Sequence, residues 1–579
     1  MPTPVPSGPR HAAWAPVLWL ILLLAAGLGA ALVDYPIATL YFRLQDRWLA
    51  PLSALLLLAG LVAGWAVMRG RVAPWRPGAR SMAVLALAVL ALGWAGHRWL
   101  LADYDLSRDE QMAVFDAFIY AHGHLVWPLP AAWRGDAPAL NLLFMLPVAR
   151  PVAWVSTYLP IHALLRAGMG LAGAAALTSP LLNAIAVLAT WGAARRLFGA
   201  AEREGAGLAA VLLATSGQFL FAGMSAYAMA AHLACNMVWL WLFLADRRRA
   251  DGAALAVGFL ATGLHQPLFH PLFVAPFLLL LAARRRWGRL ALFVLAYLPI
   301  GLFWLAWPHF THDLVAGTGS VSQSGTSFAE RLRDVLAANT QNLPLMAENL
   351  LRFAAWQAPV WGPLALIGGW AAWRQRQGEM LALAAGLVAP ALLMAALLPF
   401  QGHGFGYRYL HGVLGNGALL AAWGWVALGD RRQRWRAGLV AALAAGALVL
   451  LPVEAGMAHA LYAPFAAASA RLDASGADYV LIGADEAPLA LDLVRNRPDL
   501  ANRPLRLSTI DIDPMEPLAA RLCGAAPAGH PMRVGLPVDS FYAGINAALG
   551  MPPAHVADRR FAEDADAFSD AGCTVAALR

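Results

Sequence analysis

The chain contains no lysine and only three cysteines, and charged residues fill just 13% of its 579 positions. In soluble globular proteins charged residues alone reach about a quarter. This scarcity, with hydrophobic residues at 60%, excludes an ordinary soluble domain and makes the chain one that folds in lipid. Without lysine, all 42 basic side chains are arginine, and the net charge of +8 raises nucleic acid as a partner. The placement of the charge decides otherwise. About twenty arginines crowd into six short turns: Arg69 to Arg80, Arg195 to Arg203, Arg247 to Arg249, Arg284 to Arg289, Arg374 to Arg376 and Arg431 to Arg436. The alternate loops carry far fewer, so the positive-inside rule puts these turns in the cytoplasm. With no groove-reading motif present, nucleic acid is not an expected partner. Of the cysteines, Cys235 sits in an apolar run, while Cys523 and Cys573 share a polar tail. An extracytoplasmic tail would permit a disulfide, which two cysteines alone do not establish.

Windows of about 20 apolar residues, the length that spans about 30 Å of hydrocarbon, place membrane helices near 14–33, 49–68, 81–100, 176–195, 206–223 and 227–245. Further helices follow near 289–307, 357–373, 380–399, 412–428 and 437–455. Between them, 253–283 must leave the arginine-rich side and return to it, and Pro267 and Pro271 interrupt its centre. Two short helices meeting inside the membrane region are expected there, which is tolerated where the turn is covered by protein or lines a cavity. The expectation is an all-α polytopic membrane protein of about 13 spans with a cytoplasmic amino end, in a bacterial inner membrane. Residues 1–80 read as an amino-terminal hairpin and 81–455 as a membrane domain with long outer loops at 101–175 and 308–356. Val152 to Leu165 suits an amphipathic interfacial helix; 316–327 is rich in small residues and Phe328 to Leu336 patterns as a helix. From 456 to 579 the pattern is that of a small extracytoplasmic α/β domain, with strands at 477–483 and 505–510 and a helix at 487–495.

Chemistry concentrates in the first long loop, where Leu106-Ser107-Arg108-Asp109-Glu110-Gln111 follows an apolar span. Two carboxylates opening a helix complement its dipole. The same pair suits a general base, Asp109, with Glu110 orienting it or holding a divalent cation such as Mg or Mn. His232, His265, His270, His309, His312, His403 and His411 fall near the outer ends of spans, in no zinc spacing. Arg408, flanked by Tyr407 and Tyr409 in a glycine-rich loop, suits bidentate contact with phosphate. Trp127, Trp133 and Trp154 suit interface anchoring or stacking on a sugar, and Asp511, Asp513 and Glu516 lack calcium-loop periodicity.

Three stretches carry a family resemblance. Arg108-Asp109-Glu110, a helix to His122-Gly123 and Leu125-Val126-Trp127-Pro128-Leu129-Pro130 resemble the first outer loop of glycosyltransferase family 39, in the GT-C superfamily. Thr178-Ser179-Pro180-Leu181-Leu182-Asn183 through Arg195-Arg196-Leu197-Phe198-Gly199 is similar to the helix that follows, and Tyr407-Arg408-Tyr409-Leu410-His411 to a stretch near the last outer loop. The resemblance spans about residues 81–430 and departs in three places. The acidic loop follows the third span, so 14–68 looks added; Trp133-Arg134-Gly135-Asp136-Ala137-Pro138 replaces the usual basic Pro-Pro element; Thr262-Gly263-Leu264-His265 lacks the usual lysine. It implies transfer of a sugar from a polyprenyl-phosphate donor to a glycan, lipid or protein acceptor, inverting, with Asp109 and Glu110 catalytic. Arg108, His265, His270, Arg408, Tyr409 and His411 would then bind substrate. Two other readings stand beside it: a transporter or lipid-linked sugar flippase, suggested by the broken helix, and a non-catalytic envelope assembly protein whose tail binds a partner.

Overall fold

The structure, a computed structural model, describes residues 14–66, 72–141, 144–148, 150–317, 342–397, 401–483, 487, 489–510, 512, 514–525, 530–551 and 558–579. Six of its helices are long and apolar enough to cross a membrane: Pro36–Gly64, Ala79–Leu100, Ala175–Phe198, Trp287–Ala316, Gly378–Leu397 and Gly429–Asp473. Shorter apolar helices cover Trp14–Ala30, Met229–Phe243 and Phe269–Ala283. The protein is thus an integral, multi-pass helical bundle. Its helices approach closely where side chains are small. A Cβ on Gly368 would lie 1.9 Å from the Leu420 carbonyl oxygen, and one on Gly424 2.0 Å from that of Leu364. The Trp361–Arg374 and Leu414–Ala427 helices therefore pack backbone to backbone, as membrane helices do without a hydrophobic driving force.

The arginine-rich turns bind one another. Arg436 pairs with Glu204 at 2.7 Å and Arg432 with Glu202 at 3.0 Å, while Arg289 pairs with Asp251 at 2.6 Å and Arg284 with Glu379 at 2.5 Å. The acidic loop makes its contacts with a different set of loops, described below.

The broken span takes the expected form. Helices Arg248–Thr262 and Phe269–Ala283 have 15 residues each. At 1.5 Å per residue each reaches only about 22 Å, short of a full crossing. Their turn is pinned from outside: Ile161 N–H donates to the Gly263 carbonyl at 3.0 Å and Leu159 N–H to that of His265 at 3.2 Å.

Several local expectations fail for identifiable reasons. Val152 to Leu165 is not one helix; β2 (Ala153–Trp154) pairs antiparallel with β1 (Trp127–Pro128), and a helix begins only at Ile161. Pro160 stands at that start, where its missing N–H is harmless. The expected helix at 487–495 shrinks to a single turn, Ala490–Leu493. The Trp287–Ala316 helix continues past the expected end at 307, and the last apolar helix runs through 455 to Asp473. The small-residue stretch from 318 on, the pattern at Phe328 to Leu336, Asp511 and Asp513 lie outside the described residues.

The carboxyl-terminal unit holds a four-stranded parallel sheet, ordered β4–β3–β5–β6, from β3 (Tyr479–Ile482), β4 (Leu505–Ser508), β5 (Arg533–Pro537) and β6 (Thr574–Leu578). Parallel pairing requires crossovers, which the helices Glu516–Gly524 and Asp539–Ala548 help supply. Cys523 and Cys573 form a disulfide. This unit seats on the acidic loop: Trp154 donates to the Pro498 carbonyl at 3.1 Å, and Asn141 and Asn496 exchange hydrogen bonds at 2.9 and 3.2 Å.

Candidate active site

Ser107 starts the acidic helix, Arg108–Ala121, as its N-cap. The Ser107 hydroxyl accepts from the Glu110 N–H at 3.3 Å, and the Glu110 carboxylate accepts from the Ser107 N–H at 3.0 Å. This reciprocal cap satisfies two amide donors at the helix start. Glu110 also accepts from the Tyr462 hydroxyl at 3.0 Å and the Ala226 N–H at 3.4 Å, and it is fully buried. The cap leaves Asp109 as the carboxylate available for chemistry.

Asp109 meets side chains from two distant segments. Arg408, 299 residues away, donates to Asp109 Oδ2 at 2.5 Å, and the Tyr158 hydroxyl donates to Oδ1. The Arg408 guanidinium lies 4.8 Å above the Tyr227 ring, and its main-chain N–H donates to Gln401 Oε1 at 2.8 Å. Tyr158 stacks on His265, ring centres 3.9 Å apart. The acidic helix, the broken-helix turn and the arginine loop thus meet at one point.

Electrostatics follow from this packing. Burial works against the Asp109 charge, but Arg408, His265 and the hydrogen bonds from Arg408 and Tyr158 outweigh it and hold the carboxyl below its usual range. Burial pushes Glu110 up, with Asp105 adding to the effect. Burial also lowers His265 to about 4 and His162 to about 3, so both are neutral hydrogen-bonding groups near pH 7. Beside these neutral rings, Arg408 is the charged group.

Two small cavities flank the ion pair. One is lined by Asp109, Asp116, Tyr158, His162 and His265, the other by His232, Asn236, Phe269, Arg408 and Tyr409. Each has a volume of about 20 Å³, room for about one water. Among the described residues, both ring nitrogens of His232, His265 and His411 and the Arg408 Nε are buried without a hydrogen-bond partner. Unpaired buried polar atoms cost free energy. Gathered in this way, they suit a polar, anionic ligand.

Not every expected residue takes part. Arg108 turns away to the carboxyl-terminal unit, donating to the Val494 and Leu491 carbonyls and lying 3.6 Å from Asp492. Its side chain docks the carboxyl-terminal unit instead of facing the Asp109–Arg408 pair. Glu110 caps the helix instead of orienting Asp109 or holding a cation. His270 bridges Asn236 at 2.7 Å and Tyr297 at 2.8 Å inside the bundle, so its ring is already satisfied. Tyr409 stacks on Phe269 beside the cavity, and His411 is buried close by. The donor set does not suit a metal: Asp109 is committed to Arg408 and Tyr158, Glu110 to the cap, and no cluster of three His, Cys, Asp or Glu occurs among the described residues. Tyr158, His162 and Tyr227 are site residues without a sequence signal; each lies in an ordinary aromatic or apolar stretch.

Neither a family model nor a curated protein sequence matches the chain. The structure is similar to crystal structures of ArnT from Cupriavidus metallidurans. The form bound to undecaprenyl phosphate has 15% identity, covers 86% of this chain and 90% of that one, and gives a TM-score of 0.42. The apo form has 15% identity, 83% and 90% coverage and a TM-score of 0.44. The oligosaccharyltransferase of Archaeoglobus fulgidus has 13% identity, 88% and 65% coverage and a TM-score of 0.40.

Proposed function

We propose that the protein is a membrane glycosyltransferase that moves a sugar from a polyprenyl-phosphate donor to a glycan, lipid or protein acceptor at the outer membrane face, with inversion. The reading is carried by the Asp109–Arg408 pair, which sets a carboxylate base against a phosphate-binding cation beside unpaired histidine nitrogens. An isoprenoid donor stays in the bilayer while its headgroup reaches the surface, so such a pair belongs where lipid meets water. The resemblance of the acidic loop and the Arg408 stretch to glycosyltransferase family 39 agrees with this.

In the proposed reaction the donor phosphate displaces Asp109 from Arg408, which clamps it in bidentate fashion. The freed carboxylate then takes the proton of the acceptor hydroxyl as that oxygen attacks the anomeric carbon and the lipid phosphate leaves. Tyr158 already donates to Asp109 Oδ1, the kind of contact an acceptor hydroxyl would make. Because the flanking cavities are small, Tyr158 and Tyr409 must move to admit a sugar.

The test is bond cleavage. Purified protein in detergent, given a polyprenyl-phosphate-linked sugar carrying a radiolabel, should release the sugar to an acceptor or to water. Movement of the labelled lipid across sealed vesicles with no cleavage would replace the enzyme by a flippase.

A further inference from the structure

Behind the candidate site runs a line of buried polar contacts that begins in the amino-terminal hairpin. Asp46 accepts from Trp356 Nε1 at 3.1 Å and pairs with Arg352 at 3.2 Å. Arg352 donates to the Gly404 carbonyl at 2.9 Å, and its guanidinium lies 4.5 Å above the Tyr41 ring. The Tyr41 hydroxyl meets His403 Nδ1 at 2.7 Å, and His403 Nε2 meets Asp492 Oδ2 at 2.8 Å. With the carboxylate accepting from Nε2–H, Nδ1 is the acceptor for Tyr41, so one tautomer of His403 satisfies both neighbours. None of Tyr41, Asp46, Arg352, Trp356, His403, Asp492 or Arg108 is more than 8% exposed.

Two branches of this line lead to the segments that carry the ion pair. On one side, Tyr41 and Arg352 hold consecutive residues of the arginine loop, His403 and Gly404. Gly404 sits against the Arg408 stem so closely that a Cβ there would be 2.3 Å from Arg408 Cδ. On the other side, Asp492 faces Arg108, and its carbonyl accepts from Gln111 Nε2 at 2.8 Å. Arg108 and Gln111 bracket Asp109 on the acidic helix. The hairpin and the carboxyl-terminal unit are thereby joined through His403 to both partners of the pair. Buried polar groups are costly in a bundle of this kind and persist where they are satisfied and serve a role.

We infer that Tyr41, His403 and Asp492 form a positioning relay that fixes the Arg408 guanidinium for phosphate, making the amino-terminal hairpin part of the phosphate site. This rests on the proposed function and adds to it which remote residues set the affinity. The relay carries no proton in the reaction; it holds the backbone at 403–404, and with it the Arg408 stem.

The experiment measures binding of polyprenyl phosphate to the full-length protein in detergent, with the polyprenol lacking phosphate as control. Tyr41→Phe and His403→Gln each remove one link of the relay while leaving most of the side chain in place. Each should weaken phosphate binding by about five- to tenfold with the number of binding sites unchanged. Misfolding alone would lower the number of sites and leave the affinity of the remainder intact. In an Arg408→Gln background, Tyr41→Phe should cause no further weakening, because the relay acts through that arginine. Wild-type affinity in Tyr41→Phe, or effects that add in the double variant, would overturn the inference while leaving the proposed function standing. Wild-type protein binding the polyprenol as tightly as its phosphate would instead overturn the proposed function.

Discussion

Replacing Asp109 by asparagine separates the two parts assigned to this side chain. The amide keeps the shape and still accepts hydrogen bonds, but it removes the charge facing Arg408, whose side chain is 8% exposed against 14% for Asp109. Breaking a buried pair by removing one partner costs about 3–5 kcal/mol. The retained hydrogen bonds put this substitution near the lower end, about 3 kcal/mol. Transfer should fall by about 10²- to 10⁴-fold, the usual share of a general base. Affinity for polyprenyl phosphate should rise, because the lipid phosphate no longer competes with a carboxylate for Arg408. Binding and single-turnover transfer measured on the same detergent-purified sample, with a thermal melt to confirm folding, read both effects. Transfer at the wild-type rate would remove Asp109 as the base, and weaker phosphate binding would refute the competition.

Other outcomes follow from neighbouring contacts. Gly404→Ala adds a methyl where Arg408 Cδ would be 2.3 Å away, at a φ of +142° that disfavours any side chain, so it should abolish phosphate binding; retained binding would show that the loop adjusts freely. Asp109 is held below the usual carboxylate range, so its stabilising share is present above that range and is lost as pH falls through its depressed value. Transfer should accordingly persist at about pH 5, where an unperturbed aspartate is also ionised, and a pH profile losing its base limb near neutrality would contradict the assignment. Asp116 behaves oppositely: burial raises it to about 7, against hydrogen bonds from Ser156. Its cost to the fold grows from about pH 4 to 7, so Asp116→Asn should gain stability over wild type across that interval in pH-dependent melts; a constant difference would refute the burial effect. The Cys523–Cys573 bridge spans 50 residues of sequence, and Cys573→Ser should lower the stability of the carboxyl-terminal unit by up to about 4 kcal/mol in urea unfolding. An unchanged midpoint would mean the bridge contributes nothing.

What the sequence determined by itself is what local composition and periodicity control. Apolar runs fix where helices can lie in lipid, and clustered arginines mark one set of turns. Prolines at 267 and 271 marked the broken span, and the paired carboxylates Asp109 and Glu110 marked a helix start. The same local logic concealed what Glu110 does: adjacent carboxylates look equivalent in a string, while the helix start turns one inward to its own amides and leaves the other to pair with Arg408 and Tyr158. Only the tertiary structure decided that Arg108 binds the carboxyl-terminal unit, that His270 is satisfied inside the bundle, that Tyr158 and His162 lie beside Asp109, and that Tyr227 lies under Arg408. It alone also joined Asp109 to Arg408 and Tyr41 to His403, pairs 299 and 362 residues apart. The physical reason is that a side chain's partner across such separations is set by how helices pack and which loops they bring to the same end, and no sequence window contains both members of the contact.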